Sequence, residues 1–284
     1  MTNTDPGAPE YEFDWQNPNL KTFDFGRVLG RAFSGMVTNV KPLIIGLIIV
    51  LTFTTIISIL STGRVLEVVG DGSIETAITN PNYWMWSFIP SFLTLFLVLW
   101  IQLIIVETSY AGFTNTAQPA SPLTSSLKNL LPMFVIAIIY SILCVLGFYA
   151  LLIGFIFVWP GWALAGPILV HERKGVFGSL GRAWTLSKGA KRWIFLLLIL
   201  LGLIGSIFYS IASGIAILGT GVNIFGGDPL AALNMSLGQQ ILFNIVGGIG
   251  GYAMYILFAS GLTAAYVEVK TMKEGAPTVG EIFS

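Results

Sequence analysis

The chain has 284 residues, 55% hydrophobic and only 10% charged, with fourteen basic and fourteen acidic side chains cancelling to a net charge of zero and a mean hydropathy of +0.81. A soluble domain carries about 25% charged residues, so an ordinary water-soluble surface is excluded. Zero net charge excludes the basic field of a nucleic-acid binder, and a single cysteine, Cys144, excludes an intramolecular disulfide.

Residues 1–21 carry Asp5, Glu10, Glu12 and Asp14 beside Pro6 and Pro9. No basic stretch precedes an early apolar run, so the segment is expected to be a disordered tail and not a signal peptide. A helical period follows: Phe25, Val28, Leu29, Ala32, Phe33, Met36, Val37 and Val40 share one face, and Arg27, Arg31, Ser34 and Thr38 the other. No charge then falls between Pro42 and Thr62, Asn82 and Val106, Asn129 and Val170, Trp193 and Gly227, or Pro229 and Val267. A helix needs about 20 mostly apolar residues to cross the hydrocarbon core, so these stretches predict membrane spans.

The first span is placed at about 42–60, followed by a net-negative loop with Arg64, Glu67, Asp71 and Glu75. The second is placed at about 84–106. Ser121 suits a helix N-cap and Pro122 a first turn, opening a short helix over 121–131 with Leu123, Leu127, Leu130 and Leu131 on one face. The uncharged stretch from Asn129 to Val170 would be about 63 Å long as one helix, twice the core, so it must turn back. Gly154 and Pro160-Gly161 are the available breaks. They predict a third span at about 132–155 and a short fourth at about 161–171, with Trp159 and Trp162 at the outer interface. A basic helix at 176–190, a fifth span at about 193–218 and a sixth at about 240–267 complete the chain.

Thirteen of the fourteen bases lie on one side of these spans, and Arg64 stands alone on the other with Glu67, Asp71, Glu75 and Asp228. The positive-inside rule places both termini in the cytoplasm, which requires an even number of spans, and six satisfies it. The expected fold is all-α and integral to a membrane: a tail at 1–21, then six spans in three hairpins over 22–284, with amphipathic helices on the cytoplasmic face.

An internal repeat is also suggested. Gly181-Arg182-Ala183-Trp184 echoes Gly30-Arg31-Ala32-Phe33, and a cation, Lys41 or Arg192, follows ten residues after each arginine. Three spans end alike, at Val106-Glu107, Val170-His171-Glu172 and Val267-Glu268. The unit would be an interfacial helix plus a hairpin, used three times. Arg31, Arg182, Lys41 and Arg192 are candidates for lipid phosphate, and Glu107, Glu172 and Glu268 are candidate ion-pair partners. Gly247 and Gly251, with Ser206, Ser210 and Gly214, offer small faces for close helix packing.

Much chemistry is missing. No charge lies inside a span, where proton relays and ion paths need one. Gln102, Tyr140 and Asn244 are the notable polar groups in spans. One histidine, His171, and one cysteine cannot build a His/Cys metal site. No nucleophile elbow and no phosphate-binding loop occurs, so neither cofactor nor catalysis is expected.

The run from Trp159-Pro160-Gly161 through Pro167–Gly175 to Leu180–Trp184, with Ser187-Lys188-Gly189 and Lys191-Arg192-Trp193, resembles the bacterial glycerophosphoryl diester phosphodiesterase membrane domain family. The segment Phe25–Phe33 looks similar to the opening helix of that family, and the resemblance covers about residues 23–280. It implies a membrane module on its own, without the catalytic barrel fused to it in some members and without phosphodiesterase activity. The expected function is therefore non-enzymatic: binding of membrane lipids, or of another membrane protein, as a scaffold or accessory subunit. A carrier of lipids or small amphiphiles, with a cavity lined by Gln102, Tyr140 or Asn244, is the alternative, and a membrane immunity factor is the third reading. Oligomeric state stays open.

Overall fold

The computed structural model describes residues 23–38, 40–69, 79–114, 116, 121–149, 153–221 and 235–275. The expected tail at 1–21, and Asp71, Glu75 and Asp228, lie outside the described residues. Every regular element among these residues is a helix: α1 (Phe25–Thr38), α2 (Val40–Val69), α3 (Pro81–Thr114), α4 (Pro122–Ser125) with a 3-10 turn (Ser126–Asn129), α5 (Leu130–Tyr149), α6 (Ile153–Trp162), α7 (Ala165–Glu172), α8 (Gly175–Ser187), α9 (Lys191–Thr220) and α10 (Leu237–Glu274). Five segments are long and apolar enough to cross a membrane: Val40–Arg64 of α2, α3, Pro122–Tyr149, α9 and α10. The described residues are thus all-helical and, by length and composition, those of a multi-pass membrane protein. Helices are the outcome physics demands, since hydrocarbon offers the backbone no water and a helix satisfies its own amides.

Local chemistry sets several ends. α10 opens on a capping box in which Ser236 Oγ accepts from the Gln239 amide at 3.3 Å, while the Gln239 side chain accepts from the Ser236 amide at 2.8 Å. α9 closes on Gly221 in the left-handed region at φ 66°, which glycine adopts without a Cβ clash. α2 runs further than its charge-free stretch, so Arg64 and Glu67, expected in a loop, pair at 2.8 Å in its last turns.

The helix α5 ends at Tyr149 and α6 opens at Ile153, beside Gly154, the first of the two expected breaks. Pro160 instead lies inside α6. A second interruption at Ala163-Leu164 separates α6 from α7. The expected outer-interface position for Trp159 and Trp162 is not what the structure shows: Trp162 lies 5.3 Å from Trp184 of basic helix α8, and a Cβ on Gly161 would stand 3.5 Å from Lys191 Nζ. Both tryptophans therefore sit toward the basic end, Trp159 against Phe195 in the first turns of α9 at 5.8 Å.

Neighbouring helices pair in opposing order. In α9 and α10, Gly205 faces Met254, Ala212 faces Gly250 and Leu201 faces Gly261. Gly46 of α2 faces Ile101 of α3, while Arg64 reaches over Trp86. Tyr140 of α5 donates to the Trp159 carbonyl at 3.0 Å, and Met133 meets Gly166, so α6 and α7 follow one another along α5. The main core gathers Val28, Ala32, Leu103, Leu164, Ile168, Ala183, Ile194, Leu201, Leu257 and Ala265 at the end that carries α1 and α8. Toward the other end the helices turn large apolar side chains outward, among them Phe88, Val145, Leu146 and Leu218. In a bilayer those side chains meet lipid, and packing between helices supplies the cohesion.

Candidate functional site

The three glutamates that close long apolar runs sit at the basic end, each against a helix that opens the next run. Glu268, near the end of α10, is buried and takes the guanidinium groups of Arg27 at 2.9 Å and Arg31 at 3.2 Å, both from α1. Glu172, the last residue of α7, takes Arg182 of α8 at 3.0 Å, Lys174 at 2.9 Å and the Tyr266 hydroxyl at 3.1 Å. Arg182 also pairs with Glu274. Glu107 in α3 accepts a hydrogen bond from the Ser125 hydroxyl in α4.

The arginines therefore turn inward. Burial pulls Arg31 below the ordinary arginine range, with the Glu268 carboxylate pulling it back. Arg182 goes the other way: desolvation lowers it, but the hydrogen bonds and charges of Glu274 and Glu172 outweigh that. The outward sides of both helices carry glycine, hydroxyl and apolar residues instead: Gly26, Gly30, Phe33 and Val37 on α1, Phe177, Gly178, Gly181 and Thr185 on α8. The two echoing tetrads occupy equivalent environments. Gly30 and Gly181 both face open space, Arg31 and Arg182 each pair with a glutamate, and Ala32 and Ala183 are both 0% exposed.

Lys41 and Arg192 are different. Both are exposed at the first turn of a long apolar helix, and neither forms an ion pair among the described residues. Arg192 leans on its neighbour Trp193 at 4.8 Å, and adjacent Lys191 sits 3.0 Å over the Trp184 ring. Those indoles hold cationic side chains at the helix start.

Between the glutamates lies an aromatic stack that the sequence did not announce. His171 stacks on Tyr110 at 3.7 Å and 21°, and the Tyr266 ring lies 6.2 Å from both. Its Nε2 is buried without a hydrogen-bond partner among the described residues. The cue was its place one residue before a terminal glutamate, where the other two runs have Val106 and Val267.

The small-face residues are placed as follows. Ser206 and Ser210 are exposed, and a Cβ on Gly214 or Gly247 would meet nothing within 4 Å. Gly251 comes no closer than 3.9 Å to the Tyr209 ring. Of the glycines at 247–251, Gly250 makes the tight contact with α9: its Cβ would stand 2.4 Å from Ala212 Cβ and 3.1 Å from the Phe208 carbonyl. Among the polar groups in spans, Asn244 donates to Ser58 at 3.2 Å and to the Gln240 carbonyl at 2.8 Å, and Tyr140 to Trp159 as above. Gln102 is half-buried. A shallow apolar groove of about 470 Å³ runs along α3 past Phe88, Ile89, Ser91, Phe92, Leu93 and Leu95, away from all three. Among the described residues no three metal-ligating side chains gather.

No protein-family model, curated protein or solved structure matches the chain.

Proposed function

We propose that this is a non-enzymatic, multi-pass protein of a bacterial inner membrane that binds anionic lipid headgroups as a scaffold or accessory subunit. Its six passages form three hairpins, with both termini cytoplasmic. The count of six is supported by the ends of the described chain. Arg27 in α1 bonds Glu268 near the end of α10, so both ends share one side and the number of crossings is even. With five long segments, the broken pair α6–α7 supplies the remaining passage. It can cross because α5, α8 and α9 cover its interruption, which lets irregular backbone sit at membrane depth. Membership of the phosphodiesterase membrane domain family belongs to the same proposal.

The observation that carries the lipid reading is the exposure of Lys41 and Arg192 at the same end as the inward-turned arginines. An unpaired cation at a span's cytoplasmic boundary attracts an anionic headgroup with about 1 kcal/mol per charge. Arg31 and Arg182 already have carboxylate partners, so phosphate affinity falls to Lys41 and Arg192. The test is native mass spectrometry of protein released from nanodiscs containing phosphatidylglycerol or only phosphatidylcholine. The parent is expected to retain phosphatidylglycerol, and Lys41→Gln/Arg192→Gln to lose it while melting at the parent temperature. Equal retention by parent and variant would reject these residues as the ligand-binding cations.

A further inference from the structure

The three glutamate contacts form seams that follow a cyclic order. Taking the three hairpins with their preceding helices as units, the first ends at Glu107, which holds α4 of the second. The second ends at Glu172, which holds α8 of the third. The third ends at Glu268, which holds α1 of the first. We infer that the chain is a closed three-unit ring whose N-terminal helix α1 is a clasp, and that the seam between α1 and α10 is where the ring opens sideways to the lipid. The inference rests on the three-hairpin reading and is independent of which lipid Lys41 and Arg192 bind.

Two observations single out that seam. The first is connectivity. The chain itself ties the other two together, through 115–121 between the first and second units and through Arg173-Lys174 between the second and third. Between the third and first units only noncovalent contacts act, so no chain segment bridges α10 and α1. The second is charge. Glu268 receives two guanidinium groups from one helix across its seam, where Glu172 receives Arg182, Lys174 and the Tyr266 hydroxyl and Glu107 a serine hydroxyl. The seam without a covalent bridge is thus the one that rests on two arginines of a single helix.

The packing beneath the ion pairs suits a helix that docks and leaves. Gly35 lets α1 approach closely: a Cβ there would stand 2.9 Å from Ser260 Oγ and 3.2 Å from Ser109 Oγ, which bond each other at 3.0 Å. When α1 departs, this serine pair and Glu268 face the gap, and they offer hydroxyl and carboxylate groups at the membrane boundary. The chemistry exposed is that of a polar headgroup slot.

The test uses the full chain in nanodiscs, in a Cys144→Ser background, with one buried reporter per seam: Ala32→Cys in α1, Ser126→Cys in the turn after α4, or Ala183→Cys in α8. All three positions are 0% exposed. Each is combined in turn with Glu268→Gln, Glu107→Gln or Glu172→Gln, and the rate of reaction with a maleimide is measured. Local opening controls that rate when the closed state is unreactive, so weakening a seam is expected to raise it by about tenfold or more at that seam. The ring predicts a specific pattern: Glu268→Gln unmasks Ala32→Cys, Glu107→Gln unmasks Ser126→Cys, and Glu172→Gln unmasks Ala183→Cys. The clasp adds that, with all glutamates intact, Ala32→Cys reacts fastest of the three. If Ala32→Cys fails to respond to Glu268→Gln, the ring is overturned. If it reacts no faster than the others in the intact protein, the clasp is overturned. Should Glu268→Gln not accumulate folded, Arg31→Gln weakens the same seam from its other side and carries the same expectation.

Discussion

Glu268 shows how a single residue's environment decides the role of its partners. It is 1% exposed, and its two oxygens are divided between Arg27 and Arg31. Removing one partner of a buried ion pair leaves an uncompensated charge, which costs roughly 3–5 kcal/mol. Glu268→Ala is therefore expected to lower folding free energy by about that amount in a reversible detergent unfolding assay, because it strands both guanidinium groups. Arg31→Ala is expected to cost less, since Arg27 stays at 2.9 Å. Lys41→Ala, at an exposed position, is expected to stay within about 0.5 kcal/mol. A Lys41 effect as large as that of Glu268 would contradict the division into inward structural arginines and outward cations. That arginines and glutamates meet here was half legible in the sequence. The residues were visible as motifs, and their pairing was one of two open readings. Which glutamate meets which arginine was not legible, since those partners lie 237 residues apart in one case and 10 in the other.

Helices expose what periodicity can and cannot say. The apolar runs were plain, and so was the need for the 129–170 stretch to fold back. The boundaries were legible in part: α6 opens at Ile153, beside the Gly154 that the sequence offered as a break, whereas Pro160 lies inside α6. In membranes proline loses its force as a helix terminator, because neighbouring helices satisfy the groups it frees. The glycines of α10 give a similar lesson. Gly247, Gly248, Gly250 and Gly251 are close in sequence but point in different directions around the helix, and only the structure shows which meets α9. At Gly250 the nearest neighbours are a methyl group and main-chain atoms of α9, none of which can swing aside. Gly250→Ala is expected to push α9 from α10 and destabilise by about 1–3 kcal/mol. Gly247→Ala has open space and is expected to be neutral or slightly stabilising, through the better helix propensity of alanine. Melting the two variants side by side checks this. Equal losses would mean that the α9–α10 contact at Gly250 is loose enough to admit a methyl group.

At the scale of the whole molecule, the distribution of charge and the distribution of packing tell one story. The basic end is also the well-packed end, where three glutamates tie successive helices and His171 stacks on Tyr110. The opposite end has long apolar helices with few buried residues, as expected where lipid replaces protein as the neighbour. If α6–α7 completes a sixth crossing, segments 70–78 and 222–234 face away from the cytoplasm, while 115–120 and Arg173-Lys174 face it. If α6–α7 only dips in and returns, the third unit is inverted and 222–234 comes to the cytoplasmic side. Single cysteines placed at 73, 118, 174 and 228 in a Cys144→Ser background separate the two cases by labelling of intact cells with a membrane-impermeant maleimide. The six-crossing arrangement expects reaction at 73 and 228 alone. Protection of 228 would leave only five crossings and place the two ends on opposite sides. That outcome is incompatible with the Arg27–Glu268 bond, so the whole ring stands or falls with this one accessibility.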